Sequence, residues 1–479
     1  MHILPVLLLS DLLIWGLCVA CLLLAWGLRR NPLQCAAWQR VGQSRRGMAA
    51  ATVLLMFTLL GLADSLHYRP ALSAPPGQVS PGYAVEVRSA LDAMLAYLRE
   101  RNEKTYSQPF ATRLANKETV LLPDGRQARL APRLKFGGAH LEEQQESARN
   151  ADVAGRLARA LTLAICLSLT LCALATVALA VPNRVRFSKR RWSRRCILLW
   201  RLIWQGRTRF AWNAVFLSVS TILLLGFPLA LLGTHYHVLG TDKVGQDVLY
   251  QSLKSIRTAL LIGSLTTLLM LPFGILFGIL AGYLRGWVDD LIQYVYTVLN
   301  SIPGVLLIAA AILMMQVLID SHPQWFATAA ERADARLLAL CLILGLTTWT
   351  GLARLLRGEA LKLSALEYVQ AAEAFLVPRR RIVVRHILPN VMHIVIITLV
   401  MDFSGLVLAE AVLSYIGIGV DPSMHSYGMM INNARMELSR EPPVWWSLFA
   451  AFGFMLSLVL AANVLADVVR DAFDPRLAP

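Results

Sequence analysis

Nine apolar stretches, most of them about 20 residues long, restrict this chain to membrane folds more than any other feature of its sequence. They lie near residues 3–28, 49–66, 155–181, 210–233, 257–283, 289–318, 337–357, 391–418 and 446–468. A helix needs that length to cross the roughly 30 Å hydrocarbon core of a bilayer, where a helix satisfies all of its own backbone hydrogen bonds. The chain is 56% hydrophobic and only 16% charged, whereas an ordinary soluble domain is roughly 45–50% apolar and about 25% charged. The sequence therefore predicts an all-α membrane protein, a polytopic bundle of about nine transmembrane helices.

Charges in the connecting segments predict which parts of the chain share a side of the membrane. Residues 29–48 and 182–209 are rich in arginine and have no acidic residue, as is typical of cytoplasmic loops. The polar segment 67–154 has mixed charge and must lie on the opposite side, as a small periplasmic domain. Counting spans from there places the N-terminus outside and the C-terminus in the cytoplasm.

This pattern predicts four regions along the chain. Residues 1–66 form two N-terminal transmembrane helices, and residues 67–154 form the periplasmic domain. Residues 155–209 form a third helix with a basic cytoplasmic linker, and residues 210–479 form the remaining bundle.

Several functional classes are disfavoured. The net charge of +16 does not indicate nucleic acid binding, because the basic residues lie in short loops beside apolar stretches. Within 67–154, His67 and His140 are isolated in the sequence, so that segment has no spacing typical of a metal site. The chain has no GxxxxGK[ST] phosphate loop, so we expect ATP to bind elsewhere.

Residues 349–390 are the most informative segment, and by the topology count they lie in the cytoplasm. We expect a helix through Phe375, a break at 377–378, a second short helix from Arg379 and a stop at Pro389. Apolar residues such as Leu366 and Leu376 give this connection a face that water would not favour. A docking surface is therefore favoured over a solvated loop.

The segment resembles the EAA loop of permease subunits in binding-protein-dependent ABC importers, and in detail the second permease subunit of the dipeptide, oligopeptide and nickel class. Further stretches match that class in order from about residue 239 onward. They are LGTD at 239–242, GQDV at 245–248, GY at 282–283, GWVD at 286–289, LAEA at 408–411, LSYIG at 413–417, SYG at 426–428, ADVVRD at 466–471 and DPRL at 474–477. The resemblance implies a six-helix type I importer core over 210–479, with a coupling loop near 354–390.

In that family the loop is a coupling helix that sits in a groove of an ATPase subunit. The resemblance implies that contact is made by Tyr368, Ala371, Ala372, Glu373 and Phe375, with Arg354, Arg357 and Glu359 framing the approach.

The resemblance also implies the rest of the assembly and its location. The partners would be a second homologous permease, two ATPase subunits holding ATP and Mg, and a periplasmic solute-binding protein, all at the bacterial inner membrane. This chain would itself be no enzyme and bind no cofactor. Peptide is the family's commonest cargo, and nickel or another small solute is the alternative.

Two positions depart from the family pattern. Leu376 stands where the family usually has Gly, and a left-handed Leu costs roughly 1 kcal/mol. We therefore expect Pro378 to end the helix in another way, or the helix to run one residue further. Gln246 stands where the family favours Arg, which weakens a salt bridge at an outer gate, although Asp242 and Asp247 are kept.

Two carboxylates lie within the predicted span 391–418. Asp402 and Glu410 are eight residues apart in the sequence, and therefore on roughly one helical face. They could face a polar translocation path or a partner permease, or they could make a structural hydrogen bond to a neighbouring helix or lie at the membrane interface. A different class, a membrane sensor or scaffold using 67–154, would require a sizeable cytoplasmic output domain, which the sequence does not contain.

Overall fold

The computed structural model describes residues 3–28, 32–71, 83–121, 127–141, 148–180, 200–206, 208–326 and 328–473. Most of the basic linker within 182–209 and the DPRL stretch at 474–477 lie outside these described residues. The helices are α1 (Leu9–Leu28), α2 (Pro32–Gln43), α3 (Arg45–Asp64), α4 (Ala90–Met94), α5 (Ala96–Arg99), α6 (Arg149–Ala180), α7 (Trp212–Gly233), α8 (Val248–Leu284), α9 (Gly286–Ser301), α10 (Gly304–Ser321), α11 (Ala329–Ser364), α12 (Glu367–Ala374), α13 (Arg379–Ile382), α14 (Leu388–Ile416), α15 (Tyr427–Glu437) and α16 (Trp446–Phe473). The strands are β1 (Ile3–Val6), β2 (His67–Pro70), β3 (Arg88–Ser89), β4 (Glu118–Leu121) and β5 (Gln127–Leu130).

The membrane-spanning architecture is confirmed. Among the described residues, eight helices are long and apolar enough to cross a membrane: α3, α6, α7, α8, α10, α11, α16 and the continuous helix Arg379–Ile416. Within α1, the apolar stretch Leu9–Leu23 is shorter. The chain is thus a polytopic helical bundle.

The first apolar stretch does not begin as a helix. Ile3–Val6 is a strand that pairs antiparallel with β2, with Val6 opposite His67. Pro5 has no backbone N–H for a helical hydrogen bond, and the edge of β2 offers the extended chain a partner. The prediction of one helix over 3–28 is therefore wrong for its first residues. The pairing places the N-terminal strand on the same side of the bundle as the segment 67–154.

The stretch 289–318, predicted as one span, is two helices. α9 ends at Ser301 and α10 begins at Gly304, because Ile302 is extended, with φ −89° and ψ 133°. The residue before a proline is sterically pushed out of the helical region, and Pro303 follows it. Pro228 and Pro272, by contrast, lie inside α7 and α8.

Pro389 does not end a helix, which corrects the sequence expectation. α13 passes through a π-helical turn at Val383–Ile387 into α14, where Pro389 lies in the first turn. A wider turn changes the hydrogen-bond register, and a proline is tolerated at the start of the next α-helical segment.

α8 and α11 are the parallel pair of helices that joins the two ends of the molecule. Their packing depends on Gly274, Gly278 and Gly282, one on each successive turn of α8. An added Cβ would lie 2.7 Å from Ala353 O at Gly278 and 2.6 Å from Arg357 O at Gly282. Small residues at this spacing let helix backbones approach closely. One end of the pair meets the 67–154 segment, and the other carries the connection between α11 and α14.

Candidate functional site

The connection between α11 and α14 forms a bent projection, which we call the elbow and define as residues 365–382. Its inner side is anchored by Val369 and Ile382, both fully buried in an apolar cluster that includes Leu356 and Ala360 of α11. The helix predicted through Phe375 is interrupted at 365–366 and ends at Ala374. The elbow therefore consists of the short helices α12 and α13 with the turn between them, packed against the end of α11.

The turn after α12 has a left-handed Leu376, with φ 55°. Val377 N donates to Ala372 O at 3.0 Å and Leu376 N to Glu373 O at 2.9 Å, the hydrogen-bond pair of a Schellman cap. Neither expected way of avoiding the left-handed conformation occurs. The backbone keeps the geometry usual for Gly, and the Leu side chain adds a strain of about 1 kcal/mol.

The same turn exposes two large apolar side chains. Phe375 is 83% exposed and Leu376 is 89% exposed. Adjacent apolar groups on a rigid, strained turn are typical of a surface that is covered by a partner.

A charged pair braces the end of α11, just before the elbow, against α9. Arg357 Nε donates to Asp289 Oδ1 and Arg357 Nη2 to Asp289 Oδ2, each at 2.6 Å. Nearby, Arg285 Nη2 donates to Ser364 Oγ at 2.8 Å. Bidentate contacts of this kind fix orientation as well as distance.

The structure brings most of the predicted coupling residues onto one element. Tyr368, Ala371, Glu373 and Phe375 are exposed on or next to α12, whereas Ala372 is half-buried. Tyr368 Oη accepts from Asn390 Nδ2 at 3.1 Å, which ties α12 to α14. Of the framing residues, Arg354 is exposed, Arg357 holds Asp289, and Glu359 Oε2 accepts from Lys362 Nζ at 3.1 Å.

Asp242 and Asp247 lie just before α8, at the end of that helix opposite to the elbow, and they hold the loop that leads into it. Asp247 caps the helix, because its Oδ1 accepts from Leu249 N at 2.8 Å. Asp242 Oδ1 accepts from Gln246 N at 2.8 Å and its Oδ2 from Gln251 Nε2 at 2.6 Å. These contacts are local and structural, and a gate role for either residue stays a prediction.

A buried charged cluster, which sequence reasoning missed, links the 67–154 segment to the loop before α8. His237 Nδ1 lies 2.8 Å from Asp247 Oδ2, and His237 Nε2 lies 3.4 Å from Glu103 Oε1, an ion-pair distance without good hydrogen-bond alignment. Glu103 also accepts from the backbone N–H groups of residues 135, 136 and 137. Glu103 and His237 are 134 positions apart in the sequence, so no local pattern could have paired them.

The environment of this cluster shifts both pKa values. Burial disfavours the charged form of His237, but Asp247 and Glu103 outweigh it and raise the His237 pKa to about 9. Burial likewise disfavours ionised Glu103, but His237 and the three backbone N–H groups lower the Glu103 pKa to about 2. Both groups are therefore charged near neutral pH, and they hold the segment to the loop before α8.

The two carboxylates of α14 differ in environment. Glu410 is 2% exposed, and Ser414 Oγ, one turn further along the same helix, donates to its Oε1 at 2.6 Å. Asp402 is half-buried near the middle of α14. A role of either residue in a translocation path stays a prediction.

Comparison with known proteins identifies the family. The model of the family described as the inner membrane component of binding-protein-dependent transport systems matches residues 274–479. An oligopeptide transport system permease protein of Haemophilus influenzae is 30% identical over 241 residues, which are 50% of this chain and 71% of that protein. The chain belongs to this family.

Other permeases are about equally similar in sequence to this chain. The dipeptide transport system permease protein of Bacillus subtilis is 29% identical over 50% of this chain and 69% of its own length. The glutathione transport system permease protein of Pectobacterium atrosepticum is 31% identical over 50% of this chain and 73% of its own length. As a member of the family, the chain is a multi-pass inner membrane permease of a binding-protein-dependent ABC importer. The family match leaves residues 1–273 outside it.

Proposed function

We propose that this permease moves peptides and is driven through the elbow by ATPase subunits on the cytoplasmic side. The observation that carries the proposal is the exposed pair Phe375 and Leu376 on a left-handed turn that the chain itself braces. The named cargo of the similar permeases, oligopeptide, dipeptide and glutathione, supports a peptide. Nickel or another small solute is the alternative cargo.

The proposed mechanism is mechanical. An ATPase groove would receive Tyr368, Ala371, Ala372, Glu373 and Phe375, and Arg354, Arg357 and Glu359 would frame it. Because α12 is anchored on α11, and α11 is packed backbone to backbone on α8, a push on the elbow would shift both helices together. The far ends of those helices reach the 67–154 segment, so the movement would open or close the outer side.

The proposed assembly follows from this mechanism. Two ATPase subunits would hold ATP and Mg, and this chain would bind no cofactor and catalyse no reaction. A second homologous permease would complete the path, and a periplasmic solute-binding protein would deliver the cargo. We propose that 67–154 is periplasmic, with the N-terminus outside and the C-terminus inside, since β1 pairs with β2 and Arg40 of the basic 29–48 connection donates to Ala472 O near the end of α16.

Co-purification tests this assignment. The tagged chain, extracted in mild detergent from the membranes of its own cell, should bring a second permease and at least one ATPase subunit. ATPase activity of the isolated complex should rise when a loaded solute-binding protein is added. Recovery of the chain as a lone protein, without ATP-dependent uptake, would reject the assignment.

A further inference from the structure

A polar cavity lies where the N-terminal part of the chain meets the permease core. Its volume is about 170 Å³, and it opens at the end of the bundle near the 67–154 segment. Its charged and polar lining comes from β2, α3, α8, α11 and the loop before α15. The lining includes Asp64, His67, Lys254, Arg257, Asp334 and His425.

The two basic residues of the lining, Lys254 and Arg257, are already paired with carboxylates. Lys254 Nζ lies 2.6 Å from Asp64 Oδ1 and 3.0 Å from Asp92 Oδ1. Arg257 Nη2 lies 2.7 Å from Asp11 Oδ1. These contacts leave neither cation free to neutralise a further carboxylate.

Asp334 is that further carboxylate. It is 4% exposed, and its Oδ2 accepts from the backbone N–H of Ser10 at 3.0 Å. With all carboxylates ionised, two cations face four of them (Asp11, Asp64, Asp92 and Asp334). A protonated His67, 2.7 Å from Asp11, would offset only one of the two excess negative charges. The site is therefore short of positive charge at Asp334.

Two buried polar atoms of the lining residues lack a hydrogen-bond partner among the described residues. One is Asp334 Oδ1, an acceptor, and the other is Arg257 Nε, a donor. An unpaired buried polar group is costly, and more so when it is charged. A ligand that brings a cationic donor to Asp334 and an oxygen acceptor to Arg257 would remove both costs.

We propose that this cavity binds the α-ammonium end of a small solute, with the ammonium at Asp334 and the adjacent carbonyl oxygen at Arg257. A free amino acid and the amino terminus of a short peptide share this chemistry. A cavity of about 170 Å³ holds a small solute of about one residue rather than a long chain. The peptide alternative rests on the proposed function, whereas the cavity and its unpaired atoms do not.

Calorimetric titration of the full chain in lipid nanodiscs tests the proposal. The probes are L-alanine, alanyl-alanine and N-acetyl-alanyl-alanine, which lacks the ammonium. Alanine, alanyl-alanine or both should bind saturably, and the acetylated dipeptide should bind at least about tenfold more weakly, because it loses a charge-assisted hydrogen bond. Binding of alanine alone would identify an amino-acid site, and binding of alanyl-alanine alone a peptide site.

Matched variants locate the binding. Ala330 lines the cavity and Ala329 beside it is exposed and does not, so A330M should abolish binding and A329M should leave it unchanged. D334N keeps an acceptor for Ser10 and should weaken binding about tenfold. Equal binding of the acetylated dipeptide, no saturable binding by either amine, or unchanged binding in A330M would overturn the proposal. The measurement needs no ATPase, so its failure would leave coupling through the elbow untouched.

Discussion

Arg357 and Asp289 form a bidentate pair, with both nitrogen–oxygen distances at 2.6 Å, that fixes the inner end of α11 to the start of α9. α8 and α11 also approach through their backbones at Arg357, since an added Cβ at Gly282 would lie 2.6 Å from Arg357 O. Force applied to the elbow therefore reaches three helices, α8, α9 and α11, at one point.

Replacing Arg357 by Gln should uncouple uptake from ATP hydrolysis. Loss of the pair leaves Asp289, which is 9% exposed, without its cation, at a cost of about 1–3 kcal/mol. We expect peptide uptake into proteoliposomes to fall at least about tenfold, while the complex still assembles. The double variant R357D/D289R restores opposite charges and should recover part of the activity. Full uptake by R357Q would show that the brace carries no force.

Charge reversal on the elbow should block docking. E373R places a cation on the exposed face of α12, and we expect ATPase subunits to be lost from the purified complex while membrane insertion is unchanged. D290R makes the same change of charge at an exposed position of α9 outside the elbow and serves as the control. Retention of the ATPase subunits by E373R would remove Glu373 from the contact.

Leu376→Gly should stabilise the turn. A Gly relieves the left-handed strain, worth about 1 kcal/mol, although part of the gain is offset by greater freedom in the unfolded chain. Thermal unfolding in nanodiscs should shift upward, and uptake should be kept, because Gly is usual here in the resembled class. Leu366 at the other end of α12 has φ −75°, so L366G should give no such gain. Equal shifts in both variants would contradict strain at Leu376.

The attachment of the 67–154 segment should weaken at alkaline pH. The pKa of His237 is raised from 6.5 to about 9 in the fold. The stabilisation that its charge contributes is therefore complete below pH 6.5 and is lost as pH rises through 9. The pKa of Glu103 is lowered from 4.5 to about 2, so its stabilisation is complete above pH 4.5 and is lost as pH falls through 2.

Hydrogen-exchange protection of the backbone amides at 135–137, corrected for the intrinsic rate, measures this attachment. We expect protection to fall between pH 6.5 and 9, and the fall to be absent in H237Q. Constant protection of the unaltered chain over that range would contradict the ion-pair account.

The membrane helices and the position of the elbow were predictable because both follow from local composition. Apolar stretches must be helical in lipid, and Pro378 marks the turn. The break at Ile302 was also visible in Pro303, but a proline inside an apolar run indicates a kink and a break equally well. The spacing of Gly274, Gly278 and Gly282 signals close helix packing and could have been used.

Other features depend on distant partners. Strand β1 forms because β2 pairs with it, and His237 is charged because Asp247 and Glu103, the latter from a separate segment, pack beside it. Leu376 takes the left-handed conformation because the surrounding cap is otherwise complete. No local pattern encodes these contacts, so the sequence alone did not single out His237 and predicted a different turn.

Photocrosslinking from position 375 tests the central claim most directly. Benzoylphenylalanine in place of Phe375 preserves a large apolar side chain at the tip of the elbow, and irradiation of the assembled complex in membranes captures whatever lies against it. The account predicts a crosslink to an ATPase subunit whose yield changes when ATP and Mg are added. Crosslinks confined to lipid or to an outer protein, with no ATPase product under any nucleotide condition, would contradict it.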